Sequence, residues 1–179
     1  MTFEGPMHIN SNDSVAGGLN RSWNILNWNI RGINSDDKCN AIKEKIDESS
    51  CDVFCVQETK RDHFDHSFIR KLASKCFNKY AFSPSDGASG GIVMGWNSSV
   101  FKGEVVQINK FSITVNFSST HNGQILTLTT VHGPCQGPDR DEFVQWLNNL
   151  HFVEDDNWMI MGDFNFYRSL SDRNRGGAT

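Results

Sequence analysis

The stretch IMGDFN, residues 160–165, decides how this chain is read. With Trp158 and Met159 ahead of it, it forms a short apolar strand that runs through Gly162 into a carboxylate, Asp163, and a carboxamide, Asn165. A carboxylate and a carboxamide spaced i and i+2 at a strand end belong in the middle of a metal-dependent active site. Here they lie close to the last residue, Thr179.

Working back from that strand, Pro138 opens a helix with Asp139, Asp141 and Glu142 in its first turn, and Phe143, Trp146, Leu147 and Leu150 fall on its buried face. FSITVNF (111–117) alternates Phe111, Ile113, Val115 and Phe117 against Ser112, Thr114 and Asn116, so one face meets a core. QILTLTTV (124–131) pairs with it across the turn around His121 and Gly123, as an antiparallel hairpin. A helix is expected at about 63–77, with Phe64, Phe68, Leu72 and Cys76 at intervals of four. DVFCVQ (52–57), an apolar run closed by a polar residue, suits a strand buried on both faces. Ser35 caps a helix that sets Cys39, Ile42 and Ile46 on one side, and WNILNWNI, from Trp23, is a further strand. Residues 1–21, rich in Gly, Asn and Ser, show neither period and read as a mobile leader, with one domain over 22–179.

Composition bounds the function. A chain of 179 residues, 37 % hydrophobic with only 4 prolines, supports one packed domain. Its net charge of −4, from 17 Lys+Arg against 21 Asp+Glu, gives no overall basic field, so nucleic-acid binding needs a local patch. No stretch approaches the roughly 18 consecutive apolar residues of a membrane span, and no secretory or transit pattern opens the chain. A cytoplasmic or nuclear protein without a membrane partner is expected. The five cysteines make no Cys-x-x-Cys pair and no zinc spacing with His, and they read as reduced and structural.

Four strands end in polar residues: Asn29, Glu58, His132, and Asp163 with Asn165. Ends of buried strands are fixed in space, so such side chains converge on one rim. A hard cation such as Mg²⁺ takes one or two carboxylates with waters and phosphate oxygens, and Glu58 with Asp163 supply that charge. Taken singly, Glu58 reads equally as a solvated strand end and Asp163 as a turn-forming aspartate.

Together and in order, NWNIRG, CVQETK, SGGIVMGW, TVHGP and GDFN resemble the motifs of the endonuclease/exonuclease/phosphatase superfamily, which includes apurinic endonucleases and DNase I. The likeness is greatest to endonuclease domains of plant LINE-type retrotransposons, where GDFN precedes a basic segment like DRNRGG here. It covers about Trp23 to Thr179 and implies an α/β fold, a four-layer α/β/β/α sandwich of the DNase I-like type. The resemblance further implies that Asn29 and Glu58 hold Mg²⁺ or Mn²⁺, Glu58 as the main ligand. Asp163 would orient or deprotonate the attacking water, and Asn165 would donate to the scissile phosphate. Arg31 stands where many apurinic enzymes have Asp, and His132 replaces a phosphate-donating tyrosine.

The family's late aspartate and closing Ser-Asp-His segment have no counterpart here, since Ser171 and Asp172 are followed by Arg173. The resemblance therefore implies an incomplete sandwich lacking the C-terminal strands, and a retrotransposon-derived nuclease-like domain that is feeble or inactive alone, because units that act together can lose about 10⁶ in rate when one member goes. Such a domain would work by binding, masking or redirecting a protein partner, with a Mg-dependent endonuclease that cuts DNA as the alternative. Part of an inner sheet face, with inward residues such as Val115 and Leu128, and at least one strand edge are expected to lie open. Covering that face calls for a protein partner or a homodimer, because each large apolar side chain left exposed forgoes roughly 1.5–3 kcal/mol. DNA remains a candidate partner through Arg31, Lys60, Arg173 and Arg175, diluted by nearby acids.

Overall fold

Alternation and capping in the sequence set the elements, which a computed structural model describes over residues 7–10, 22–86, 89–135, 137–150 and 157–166. One sheet contains β1 (Met7–Asn10), β2 (Asn24–Asn29), β3 (Val53–Gln57), β4 (Lys79–Asp86) and β5 (Ser89–Trp96), in the order β1-β2-β3-β5-β4. The other contains β6 (Phe101–Ile108), β7 (Ser112–Ser119), β8 (Ile125–His132) and β9 (Trp158–Asp163), in sequence order. Two neighbouring pairs are parallel, β2 with β3 and β8 with β9, and the rest are antiparallel. Parallel neighbours need a crossover. Helix α1 (Asp36–Ser49) supplies the first and α3 (Asp139–Asn148) the second, while α2 (His66–Leu72) lies between β3 and β4.

The sheets pack face to face. Ile25, Val53, Cys55 and Met94 of one meet Ile113, Val115, Phe117 and Leu128 of the other in a single buried core. The alternate residues Leu26, Phe54, Val56 and Val93 face outward under Cys39, Ile42 and Ile46 of α1 and Ile69 and Leu72 of α2. Strand β3 is buried on both faces, which is why its sequence is an unbroken apolar run. On the far side, Phe143 of α3 packs on Phe111 and Val131. The layers run helix, sheet, sheet, helix: the α/β sandwich of the DNase I-like type.

Local chemistry accounts for the helix ends and for two differences from the sequence expectation. The Ser35 hydroxyl accepts from the Lys38 amide at 3.3 Å and starts α1 where expected. Helix α2 is shorter than the four-residue spacing suggests. The Asp65 carboxylate caps it by accepting from the Phe68 amide at 2.7 Å, and the chain is extended at Ala73, so Phe64 lies before the helix and Cys76, exposed, lies after it. In α3 only Phe143 is fully buried, with Trp146 and Leu147 half-buried against it and Leu150 beyond the helix end.

Two further expectations are corrected. Met7–Asn10, assigned no strand period in the sequence, pairs antiparallel with β2 from Met7 opposite Asn27 to Asn10 opposite Asn24. The rest of residues 1–21 lies outside the described residues. The inner face around Val115 and Leu128 is not open, since both are 0 % exposed beneath the facing sheet. The exposed large apolar side chains among the described residues are Val105, Val106 and Ile108 on the edge strand β6, Ile125 at the start of β8, Val144 of α3 and Phe166 after β9. No helix among the described residues is long and apolar enough to cross a membrane.

Replacing Val115 by Asp would place a charge in a dry inter-sheet core and is expected to destabilise the fold by about 3 kcal/mol or more, measured by urea denaturation. Asn116→Asp, one residue along on the exposed side, should stay within about 0.5 kcal/mol of the parent. Equal effects at both positions would contradict the packing described.

Candidate active site

Each sheet contributes one parallel pair, and both pairs end on the same rim. Asn29 closes β2 opposite Gln57 of β3, so Glu58 is the next residue out. His132 closes β8 directly opposite Asp163, the last residue of β9. Because β2 packs across from β9 and β3 from β8, the four ends meet. Asn29 Nδ2 donates to Asp163 Oδ2 at 2.7 Å across the two sheets, joining residues far apart in sequence. Asp163 Oδ1 accepts from the Asn165 amide at 3.1 Å, and Asn165 Nδ2 donates to the Gly133 carbonyl at 2.7 Å. The Gly133 amide in turn donates to the Asp163 carbonyl at 2.7 Å, lacing the loop after β8 to the loop after β9.

Two glycines permit this approach. A Cβ on Gly162, whose φ is +143°, would fall 1.9 Å from the Val131 carbonyl oxygen, so only glycine brings β9 against β8 just before Asp163. Gly91 does the same for Glu58: a Cβ there would fall 2.4 Å from Thr59 Oγ1, and the Gly91 carbonyl accepts from the Thr59 amide at 3.1 Å. Glu58 itself adopts φ +56°, with Arg31 at +55°, Lys60 at +55° and Asn165 at +52°. Left-handed backbone at non-glycine residues costs of order 1–3 kcal/mol each and persists only where the surroundings enforce it. Its concentration at this rim sets the rim apart from the rest of the fold.

The charges are arranged around a half-exposed carboxylate. Lys60 Nζ lies 3.6 Å from Glu58 Oε1, a loose pair, and Asn29 Oδ1 accepts from the Arg31 amide at 3.3 Å. Lys60 and Arg31 thus stand on the rim, whereas Arg173 and Arg175 lie outside the described residues. Burial holds His132 below the ordinary imidazole value, while the negative charges of Glu58 and Asp163 pull it the other way. Its Nδ1 is buried without a protein partner, so the ring brings a neutral imidazole to the site. Among the described residues no group of three or more His, Cys, Asp or Glu is gathered for a metal, which does not suit a zinc cage. The donor set of Glu58 with the Asn29 carboxamide oxygen does fit Mg²⁺, which takes one or two carboxylates and keeps its waters.

Three features escaped the sequence. Gln57, fully buried, donates from Nε2 to Thr130 Oγ1 at 2.6 Å and to Asn27 Oδ1, bridging the sheets beneath the rim. Cys135 is exposed, and partial desolvation, followed by the negative charges of Asp163 and Glu58, raises its thiol. Arg140 and Phe166 form an outer wall next to Asn165. Nothing in composition or periodicity marks these residues, though Gln57 as a polar end to an apolar run is a visible signal.

A model of the Endonuclease/Exonuclease/phosphatase family matches residues 26–178. Among solved structures, a humanized D. rerio TDP2 is 21 % identical with a TM-score of 0.53, and it is matched over 80 % of this chain and 62 % of its own. The human Nocturnin catalytic domain, with bound sulfate, is 18 % identical with a TM-score of 0.57 over 80 % and 64 %. The endonuclease domain of TRAS1, a telomere-specific non-LTR retrotransposon, is 11 % identical with a TM-score of 0.55 over 80 % and 61 %. These likenesses support the fold alone, and the chain spans less than two thirds of the length of each.

The depressed His132 value has a definite pH sign. The unfolded chain takes up this proton around the ordinary value of 6.5 and the folded chain only below it, so the contribution is complete above that value and declines as pH falls. Urea denaturation between neutral pH and mildly acidic pH should therefore show a steeper loss for the parent than for His132→Gln. Parallel losses would remove the buried imidazole from the account.

Proposed function

The chain belongs to the Endonuclease/Exonuclease/phosphatase family, and from that premise we propose that its rim is a divalent-metal-dependent phosphodiester-hydrolysing site of LINE-retrotransposon endonuclease type. The observation that carries this reading is the Asn29–Asp163 hydrogen bond at 2.7 Å, which puts the carboxylate of one sheet beside the Asn29–Glu58 pair of the other. Glu58 and Asn29 would hold Mg²⁺ or Mn²⁺, in keeping with the family's general use of divalent metals. A bound cation supplies Lewis-acid polarisation of phosphate oxygen.

The protein groups supply the rest. Asp163 is held by Asn29 and by the Asn165 amide, so its carboxylate is oriented to align a water and accept its proton. Asn165 and the neutral His132 imidazole supply donors for charge developing on the phosphate. Arg31 and Lys60 add positive charge at the rim for a polyanion, in a chain whose net charge of −4 otherwise disfavours it.

A second reading makes the chain a binding module that no longer cuts and that works by masking or redirecting a protein. It is favoured by strand β9, which stands last in its sheet among the described residues and whose Met159 and Ile160 are only half-buried. Strand addition from a partner protein would complete that sheet.

Nicking of supercoiled plasmid with Mg²⁺ or Mn²⁺ tests the two. Hydrolysis is expected, falling by about 10²-fold or more in Asp163→Asn and in Glu58→Gln with folding retained. Absence of cutting by the parent chain would leave the binding reading, and equal cutting by the variants would overturn the roles given to Asp163 and Glu58.

A further inference from the structure

The wall beside Asn165 is built in a way the phosphate chemistry does not use. Phe166 is 37 % exposed, yet its ring stacks on the fully buried Phe143 with centroids 5.5 Å apart and planes 25° from parallel. Phe143 is fixed in turn by Phe111 at 5.2 Å and Trp146 at 5.6 Å. The Arg140 guanidinium lies over the Phe166 ring, 5.0 Å from its centroid, and its Nη1 donates to the Cys135 carbonyl at 3.4 Å. That is its one hydrogen bond among the described residues, and the guanidinium is in no ion pair there.

Both halves of the wall are tied to the rim. Phe166 follows Asn165, which is bonded to Gly133, and Arg140 is bonded to Cys135, two residues beyond Gly133. Phe166 is three residues from Asp163, a span of at most about 10 Å. The result is an aromatic ring on a rigid base, topped by a planar cation with spare donors, within a nucleotide's reach of the proposed scissile phosphate.

We propose that Arg140 and Phe166 form a stacking platform for a nucleobase next to the scissile phosphate, so that the site takes a strand with an unstacked base rather than a phosphorylated sugar. This rests on reading the rim as a phosphodiester site. A guanidinium over an exposed ring sets donors for a phosphate beside a π-face for a base. Every base has a π-face, so the platform is tolerant of sequence and selects against a duplex with all bases stacked.

The test is fluorescence anisotropy without divalent metal, so that it reads binding and not turnover. The probes are a short labelled single-stranded DNA and the same strand with abasic residues throughout. Phe166→Ala should weaken binding of the ordinary strand by about 5- to 150-fold and leave the abasic strand unchanged, while Phe166→Trp should retain it. Arg140→Ala, at a partly exposed position, should also lower the preference for the strand with bases.

Equal losses on both strands, no loss in either alanine variant, or no binding of single strands by the parent would overturn the platform. Base-dependent binding in a chain that fails to nick plasmid would uphold the platform and remove the hydrolytic reading. Nicking by a chain whose Phe166→Ala variant binds both strands as the parent does would do the reverse.

Discussion

Gln57 carries the link on which the two halves of the molecule depend. It lies at the end of β3 with no exposed surface, and its Nε2 donates to Thr130 Oγ1 of the opposite sheet at 2.6 Å. The surrounding interface is apolar and non-directional, and apolar contact alone would tolerate one sheet sliding on the other. A buried amide that lost its partner would cost about 1–3 kcal/mol, so this polar seam selects one relative position. The next residue beyond Gln57 is Glu58, and two beyond Thr130 is His132. Register fixed at the seam is therefore register fixed at the rim, and the Asn29–Asp163 bond follows from it.

The rim is also where the chain departs from its preferred geometry. Arg31, Glu58, Lys60 and Asn165 all take left-handed backbone, and each sits in the first turn after a strand of the site. The surroundings enforce this: Thr59 is wholly buried, its amide and that of Lys60 are bonded to Gly91 and Gly90, and the Ile33 amide is bonded to Thr59. Local preference gives way to tertiary contact where side chains must be aimed, a pattern associated with functional sites. The same logic explains Gly162, which trades backbone freedom for close approach of β9 to β8.

The electrostatics are local. An acidic chain has no far field for nucleic acid, so recognition of a phosphate strand would rest on groups placed one by one: Arg31 and Lys60 at the rim and Arg140 on the wall. Such a site would work at short range, aided by stacking, and the overall charge would slow encounter without preventing contact.

Strands β2, β3, β7, β8 and β9 and the polar residues at their ends were legible in the sequence because periodicity and polarity are properties of neighbouring residues, whereas β4, β5, β6 and the order of strands in each sheet were not. The hairpin of β7 and β8, the doubly buried β3 and the Ser35 cap all declared themselves within a few residues of chain. The limits of α2 were not legible, since a run of aromatics at four-residue intervals cannot reveal that Asp65 caps the helix after Phe64. Nor was the pairing of Met7–Asn10, whose strand exists only because β2 offers it an edge. The sequence by itself placed Asn29, His132 and Asp163 at strand ends and Glu58 at the end of the apolar run of β3, where the structure puts it one residue past the strand. Only the tertiary structure decided that these ends meet, that Gln57 joins the sheets and that Arg140 covers Phe166, because each is a contact between segments distant in the chain and set by packing rather than by local preference.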